Sequence, residues 1–329
     1  MPAYFDQGFF VREPAWHGMG VVLDDYPDRE TAMRLAGHDF DIIESPVRFE
    51  TEAEGGRVLR TANGWKAHRR SDNGELIHIS RDTFERIPNS VAYDVAELLF
   101  DQGFRYETGI TLKGGAQCAI TLRLDEPITI DGDTSAVLPF GCLSWAHDGS
   151  SSLKVRSGTI RQVCANTVSA SEAEGKRLGV DFTFRHTKNV MERIQDAKDA
   201  VRGVRAGLDV YRKLAEELAE IQVTPLQRDL FVSEIIGDKG GVVSTSTTVS
   251  DRVRENIENE RTKILSLFMG PTVPEAHKLT GYGLWLAGGE YFDHLRAYRS
   301  KDSYVRRTLL SDNPAKASLA KTVRELVAA

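Results

Sequence analysis

His147 and Asp148 stand side by side in the run Trp145-Ala146-His147-Asp148-Gly149-Ser150, and a His-Asp dyad can ligate a metal or move a proton. A hydrolytic metal site needs several such ligands converging on one ion, and only this dyad offers itself locally. The same residues also make a good turn, with Asp148 capping through its side chain and Gly149 taking positive φ. We adopt the turn, and no metal is expected. Cys164 and Asn166, with a distant histidine, are the ingredients of a thiol hydrolase. Yet Cys164 falls in a Val-Cys-Ala context on an expected buried strand, without the nucleophile turn or helix N-terminus that would lower its pKa. It is expected to be a buried thiol, with Asn166 closing the strand end through backbone hydrogen bonds. Lys113-Gly114-Gly115 and Lys239-Gly240-Gly241 lack the spacing of a phosphate loop. No catalytic residue and no cofactor follow from these patterns, and a non-enzymatic protein is favoured.

Basic residues interleaved with aromatics carry more. Lys154, Arg156 and Arg161 lie in a window, Gly149 to Ser171, that holds no acidic residue, in a chain of net charge −6. Trp65, Lys66, His68, Arg69 and Arg70 share a second stretch, and Arg296, Tyr298, Arg299, Lys301, Tyr304, Arg306 and Arg307 a third. Lysine and arginine contact phosphates, and exposed aromatics stack on unpaired bases. Lys154, Arg156, Arg161, Arg69, Arg70 and Trp65 are therefore the candidate nucleic-acid contacts. For any one cluster, aromatics in the core and charges at its rim would explain the pattern as well. Three clusters tip the balance towards nucleic acid.

The same segments carry a family resemblance. His147-Asp148-Gly149-Ser150, followed by Arg161-Gln162-Val163-Cys164-Ala165-Asn166-Thr167, resembles the core signature of domain of unknown function 932, a family of phage, prophage and plasmid genes. Trp16-His17-Gly18 near the start, and Trp285 with Asp293-His294 near the end, are similar to elements of its longer phage/plasmid-like branch. The resemblance departs at Ala15, Ala165 and Ala287-Gly288-Gly289, where the family pattern has other residues. It implies a mobile-element protein in the cytoplasm of a bacterial host.

Charge and composition bound the rest. Hydrophobic content of 41% and charged content of 27% describe an ordinary globular chain. No run approaches the ~20 apolar residues of a membrane span, so no membrane partner is expected. The three cysteines have no Cys-x-x-Cys pair. Residues 1–50 hold 4 basic and 10 acidic side chains, whereas residues 151–200 hold 9 and 6, so a local anion-binding face is compatible with the acidic total.

These residues need elements to position them. A helix is expected from Asp28 to Gly37 and a strand from Phe40 to Phe49 broken at Pro46. A β-meander over 57–80 follows, turning at Asn63-Gly64 and at Asp72-Asn73-Gly74. Pro88-Asn89-Ser90 reads as the N-cap of a helix to Asp101. Strands are expected over 106–112, 116–124, 128–130, 136–146, 153–163 and 182–185, with a helix over 169–178. From Val190 to Leu218 apolar residues recur at spacings of three and four, a coiled-coil-like seam. Thr224-Pro225-Leu226-Gln227 is a capping box opening a helix to Ile236. Further helices are expected over 251–268, 277–298 and 314–327. The fold class is α+β: an antiparallel β-rich portion over 1–186, then a helical portion over 187–329 with a long helix pair.

The order of helix, hairpin, long strands and helix is similar to the core of phage single-strand annealing proteins, a fold-level analogy. Single-stranded DNA binding or annealing, in recombination or replication, is the expected function. The alternative is an interaction protein, binding a host or phage protein or a second copy through its helical seam. A metal-dependent nuclease built on His17, His147, Asp148, Asp293 and His294 ranks third.

Overall fold

Local cap and turn signals fix many of the element boundaries. The computed structural model describes residues 5–12, 20–53, 55–161, 166–168, 182–195, 198–238, 249–296 and 314–328. Strands β1 (Phe5–Val11) and β2 (Val21–Leu23) precede helix α1 (Arg29–Ala36). Asp28 starts that helix by accepting the Thr31 N–H at 2.8 Å, and Gly37 ends it in the left-handed region at φ 72°. Three strands follow: β3 (Ile42–Ala53), β4 (Gly56–Arg70) and β5 (Leu76–Arg81). Next come α2 (Asn89–Glu97), β6 (Arg105–Leu112), β7 (Gln117–Arg123), β8 (Ile128–Ile130), β9 (Asp133–Ala146), β10 (Leu153–Arg161), β11 (Asn166–Val168) and β12 (Phe182–Phe184). The remainder is helical: α3 (Val190–Gln195), α4 (Lys198–Glu220), α5 (Pro225–Ile236), α6 (Asp251–Met269), α7 (Gly281–Glu290), α8 (Pro314–Ala317) and α9 (Leu319–Ala328). The fold is α+β, with strands predominating to Phe184 and helices from Val190 onward.

The chain packs as two compact units. The first comprises Met1–Leu124, Phe140–Arg156 and Asp181–Val204; the second comprises Asp125–Pro139, Ser157–Val180 and Arg205–Ala329. Strands β9 and β10 therefore give residues to both, whereas the change in composition at 186/187 marks only where strands give way to helices.

In the first unit the main sheet runs β2–β1–β6–β7–β9, antiparallel except for the parallel β1–β2 pair. Helix α1 lies on β1 and β6. Gly109 permits that approach, since a Cβ there would sit 2.7 Å from the Ala36 Cβ. Phe9, Tyr93, Phe104, Tyr106, Leu143 and Trp145 are fully buried in this unit. A separate three-stranded antiparallel sheet is ordered β3–β4–β5.

The second unit has its own core. Tyr211, Ala215 and Leu218 of α4 pack with Phe231, Phe268, Tyr282 and Trp285, and with Ile130 and Val137 of the β8–β9 hairpin. The seam residues Val190, Ile194 and Val204 in the first unit, and Leu208 in the second, are buried as well. Ala197 lies outside the described residues, as does the side chain of Val201. The described part of the seam thus packs into the protein's own interior. The capping box forms as expected: Gln227 N–H donates to Thr224 Oγ1 at 3.2 Å, and Thr224 N–H donates back to Gln227 Oε1 at 2.9 Å.

Three local expectations differ from the structure. The strand expected to break at Pro46 runs on through it, from Ile42 to Ala53, with Pro46 paired to Lys66. Asn63-Gly64 is not a hairpin turn but part of an irregularity inside β4, where the pairing with β3 passes from Pro46↔Lys66 to Arg48↔Thr61. Local turn residues are there, yet the long partner strand continues past them. The helix expected from 277 begins at Gly281, because Thr280 caps it by accepting the Gly283 N–H at 3.3 Å. The helix expected over 169–178 lies outside the described residues.

Candidate nucleic-acid interface

The three-stranded sheet has one face turned inward and one open, and period-two alternation sorts its side chains between them. Ile42, His68 and Ser80 are buried on the inner face, where His68 Nε2 meets Ser80 Oγ at 2.7 Å. On the other face Ile43 pairs with Arg69, Ser45 with Ala67, Ala67 with Ile79, Trp65 with Arg81, and Arg69 with Leu76. Ile43, Trp65, Leu76 and Ile79 are 40–55% exposed there. The Arg81 guanidinium lies 4.3 Å from the centre of the Trp65 ring, and Arg69 Nε donates to Ser45 Oγ at 3.2 Å.

Beyond Pro46 only β3 and β4 continue, as a two-stranded ribbon. Keeping the alternation of β3, the open face carries on through the pairs Phe49↔Arg60 and Thr51↔Val58. Phe49 and Val58 are 49% and 43% exposed. The three β3 glutamates, Glu44, Glu50 and Glu52, occupy alternate positions and so share the opposite face. There Glu44 meets Lys66 at 3.1 Å and Glu50 meets Arg57 at 3.8 Å. The paired positions of the open face therefore hold Arg60, Arg69 and Arg81, two aromatic rings and no carboxylate.

Of the candidates drawn from sequence, Trp65 and Arg69 fall on this open face. Arg70 falls on the other side of the strand. Its guanidinium donates to both Asp72 carboxylate oxygens at 2.9 and 2.6 Å and lies 4.0 Å from the centre of the Phe40 ring. That contact holds the Asp72 carboxyl below its ordinary range. Lys154 and Arg156, both half-buried, alternate along β10 with the buried Leu153 and Val155. The side chains of Arg161 and Asn166 lie outside the described residues. So do Trp16, His17, Gly18 and Cys164, and the basic cluster beyond Arg296. Cys118 is a free thiol, and burial pushes it up.

The His147 turn is built differently. Asp148 Oδ1 accepts the Ser150 N–H at 2.9 Å, and Gly149 takes φ 72°, so the segment is the turn its residues suggest. His147 itself is 2% exposed. Asn89 organises it. Asn89 Nδ2 donates to the His38 and Phe40 carbonyls, each at 3.0 Å, which leaves Oδ1 as the acceptor. Trp145 Nε1–H and His147 Nε2 both reach that oxygen at 2.8 Å. His147 must therefore carry its proton on Nε2, and Nδ1 is a lone pair with no partner among the described residues. His38 is fixed in the same way. Its Nε2–H donates to the Ile110 carbonyl at 2.9 Å, and Tyr93 O–H donates to its Nδ1 at 3.0 Å. Burial pulls His147 down to about 3 and His38 to about 4, so both rings are neutral.

Around this turn His68, His78 and His186 surround Phe84 at ring-centre distances of 5.3, 5.8 and 4.5 Å. His186 faces the Ser151 carbonyl at 3.1 Å and the Glu85 carbonyl at 2.8 Å. These histidines and Asn89 gave no sequence signal of a shared centre. Among the described residues no three His, Cys, Asp or Glu side chains converge as a metal ion requires.

In the second unit Trp285 is buried against Tyr211, with ring centres 5.3 Å apart. The Glu290–His294 motif enters a π-helical turn over Tyr291–Leu295. Asp293 is buried and accepts Lys316 Nζ at 2.8 and 2.6 Å, tying α8 to that turn, while His294 is exposed. Tyr291 O–H donates to Glu260 at 2.6 Å. No described helix is long and apolar enough to cross a membrane.

An α+β protein with a buried polar centre at the His147 turn and an open arginine–aromatic sheet face is the class these features define. The model of the domain of unknown function DUF932 matches residues 77–311, and the chain belongs to that family. No curated protein and no solved structure matched it. Most of the open sheet face, Ile43 to Leu76, precedes the matched stretch, whereas Asn89, Trp145, His147, Trp285 and Asp293 fall inside it.

Proposed function

We propose that this protein binds single-stranded DNA on the open face of the β3–β4–β5 sheet. The observation that carries this reading is the sorting of charge: Arg60, Arg69 and Arg81 stand beside Trp65 and Phe49, and the glutamates of β3 stand on the other side. Arginine meets phosphate, and an exposed ring stacks on any base. Lys154 and Arg156 add a second basic stretch in the same unit. No catalytic group is needed, because holding an unpaired strand for annealing in recombination or replication requires only backbone contacts and presented bases. The phage and plasmid setting implied by the longer-branch motifs suits such a role.

The alternatives have less to stand on. A partner bound through the helical seam would need surface that Tyr211, Ala215 and Leu218 spend on the core. A nuclease would need Asp293, which is held by Lys316, and His147, whose Nε2 is held by Asn89.

Tryptophan fluorescence tests the proposal. Trp65 is 40% exposed, whereas Trp145 and Trp285 are at most 4% exposed. Oligothymidylate at low salt should quench Trp65, and Trp65→Ala should reduce the quenching and weaken binding by about tenfold or more. Absence of oligonucleotide binding at low salt, where the electrostatic contribution is largest, would refute it.

A further inference from the structure

Phe49 and Arg60 repeat, on the β3–β4 ribbon, the aromatic–arginine pairing that Trp65 and Arg81 make on the sheet proper. Each is a directly opposed cross-strand pair. The alternation of β3 puts Phe49–Arg60 on the side of Ile43 and Ser45, and the extra β4 residues of the irregularity opposite Pro46 bring Arg60 and Trp65, five positions apart, to that same side. From Ile43 to Thr51 this face extends for about 27 Å at the usual rise per residue. That length gives room for about four nucleotides, the low end for single-strand modules.

Resting on the DNA-binding reading above, we propose that Phe49–Arg60 is a second stacking station on the same strand. The ribbon then lengthens the site and makes it selective for unpaired over duplex DNA and tolerant of sequence. Selectivity for single strands follows because a flat ring needs an accessible base face, which a duplex hides in its stack. Tolerance follows because every base has a face on which an exposed ring can stack. The β3 glutamates on the reverse face confine the strand to one side of the ribbon.

The test uses the full chain, fluorescein-labelled oligothymidylates of two and twelve nucleotides, and a twelve-base-pair duplex, all at low salt. Phe49→Ala and Arg60→Ala alter exposed side chains, so the fold should persist, as a circular-dichroism melt would verify. Each should lower affinity for the twelve-mer by about tenfold while leaving the dinucleotide, held at Trp65, within twofold. Wild-type protein should prefer the single strand to the duplex and bind mixed sequences about as well as oligothymidylate. If Trp65→Ala abolishes binding but Phe49→Ala changes nothing, the second station is refuted and the DNA-binding reading stands. A duplex bound as tightly as the single strand refutes the stacking selectivity. If the wild-type protein binds no oligonucleotide, both proposals fall.

Discussion

The centre around His147 and the face around Trp65 use similar side chains in opposite ways. At His147 a tryptophan, two histidines and an asparagine are buried, and the one asparagine oxygen serves two donors. At Trp65 a tryptophan, a phenylalanine and three arginines stand on a face whose large apolar side chains are 40–55% exposed. Burial makes each hydrogen bond of the first expensive to lose, whereas exposure leaves the second nearly without consequence for folding. Of the residues that carry the family resemblance, the described His147, Asp148, Trp285 and Asp293 make contacts that hold the fold, whereas most of the proposed binding face lies outside the matched stretch. Separating the two regions by mutation would show whether that division of labour is real.

The largest effect is expected at Asn89. Asn89→Ala removes four hydrogen bonds and strands two buried donors, Trp145 Nε1 and His147 Nε2, so stability should fall by about 4 kcal/mol. Urea denaturation would measure the loss, and the molecules that remain folded should bind oligonucleotide as before. Asp293→Ala comes next. It leaves the part-buried Lys316 ammonium without the Asp293 carboxylate, which should cost about 3 kcal/mol, read as a lowered melting temperature.

Acid should weaken the same centre. His147 and His38 titrate near 3 and 4 in the folded chain, below the ordinary histidine value. Between about 6.5 and those values the unfolded chain binds more protons. Their contribution is therefore complete above about pH 6.5 and is lost as pH falls through the window towards 3–4. The slope should approach about 1.4 kcal/mol per unit for each histidine, and a pH series of denaturant midpoints would read it. Stability independent of pH across that window would show that these rings are not buried neutral. At the far end of the scale, Trp65→Ala should change stability by less than about 0.5 kcal/mol while weakening DNA binding. A large loss of stability there would erase the contrast between the two regions.

Much of the fold was legible wherever one residue acts on its near neighbours. Asp28 and Gly37 bound α1, and Thr224 with Gln227 opens α5, because capping is settled within three or four residues. The candidate site was legible only in part. Trp65 and Arg69 were found as an aromatic among basic residues, but Arg69 and Arg70 were grouped together although adjacent strand residues point to opposite faces. Asn63-Gly64 carried a turn signal that the continuing β3 partner overrides. Phe49, Arg60 and Arg81 join the face through pairings across 11 to 16 residues, and short-range spacing does not report such pairings. Asn89 resembled a helix cap, yet its partners His38 and His147 lie 51 and 58 residues away.

The salt dependence of oligothymidylate binding, compared between the wild-type chain and an Arg60→Ala, Arg69→Ala, Arg81→Ala triple variant, tests the central claim most directly. Each lost phosphate contact should remove about 0.7 from the slope of log affinity against log salt for a single strand. Binding through the open face predicts a slope flatter by about 2 in the triple variant, with its melting temperature unchanged. An identical slope in the two proteins, or no binding by the wild-type chain at low salt, would contradict it.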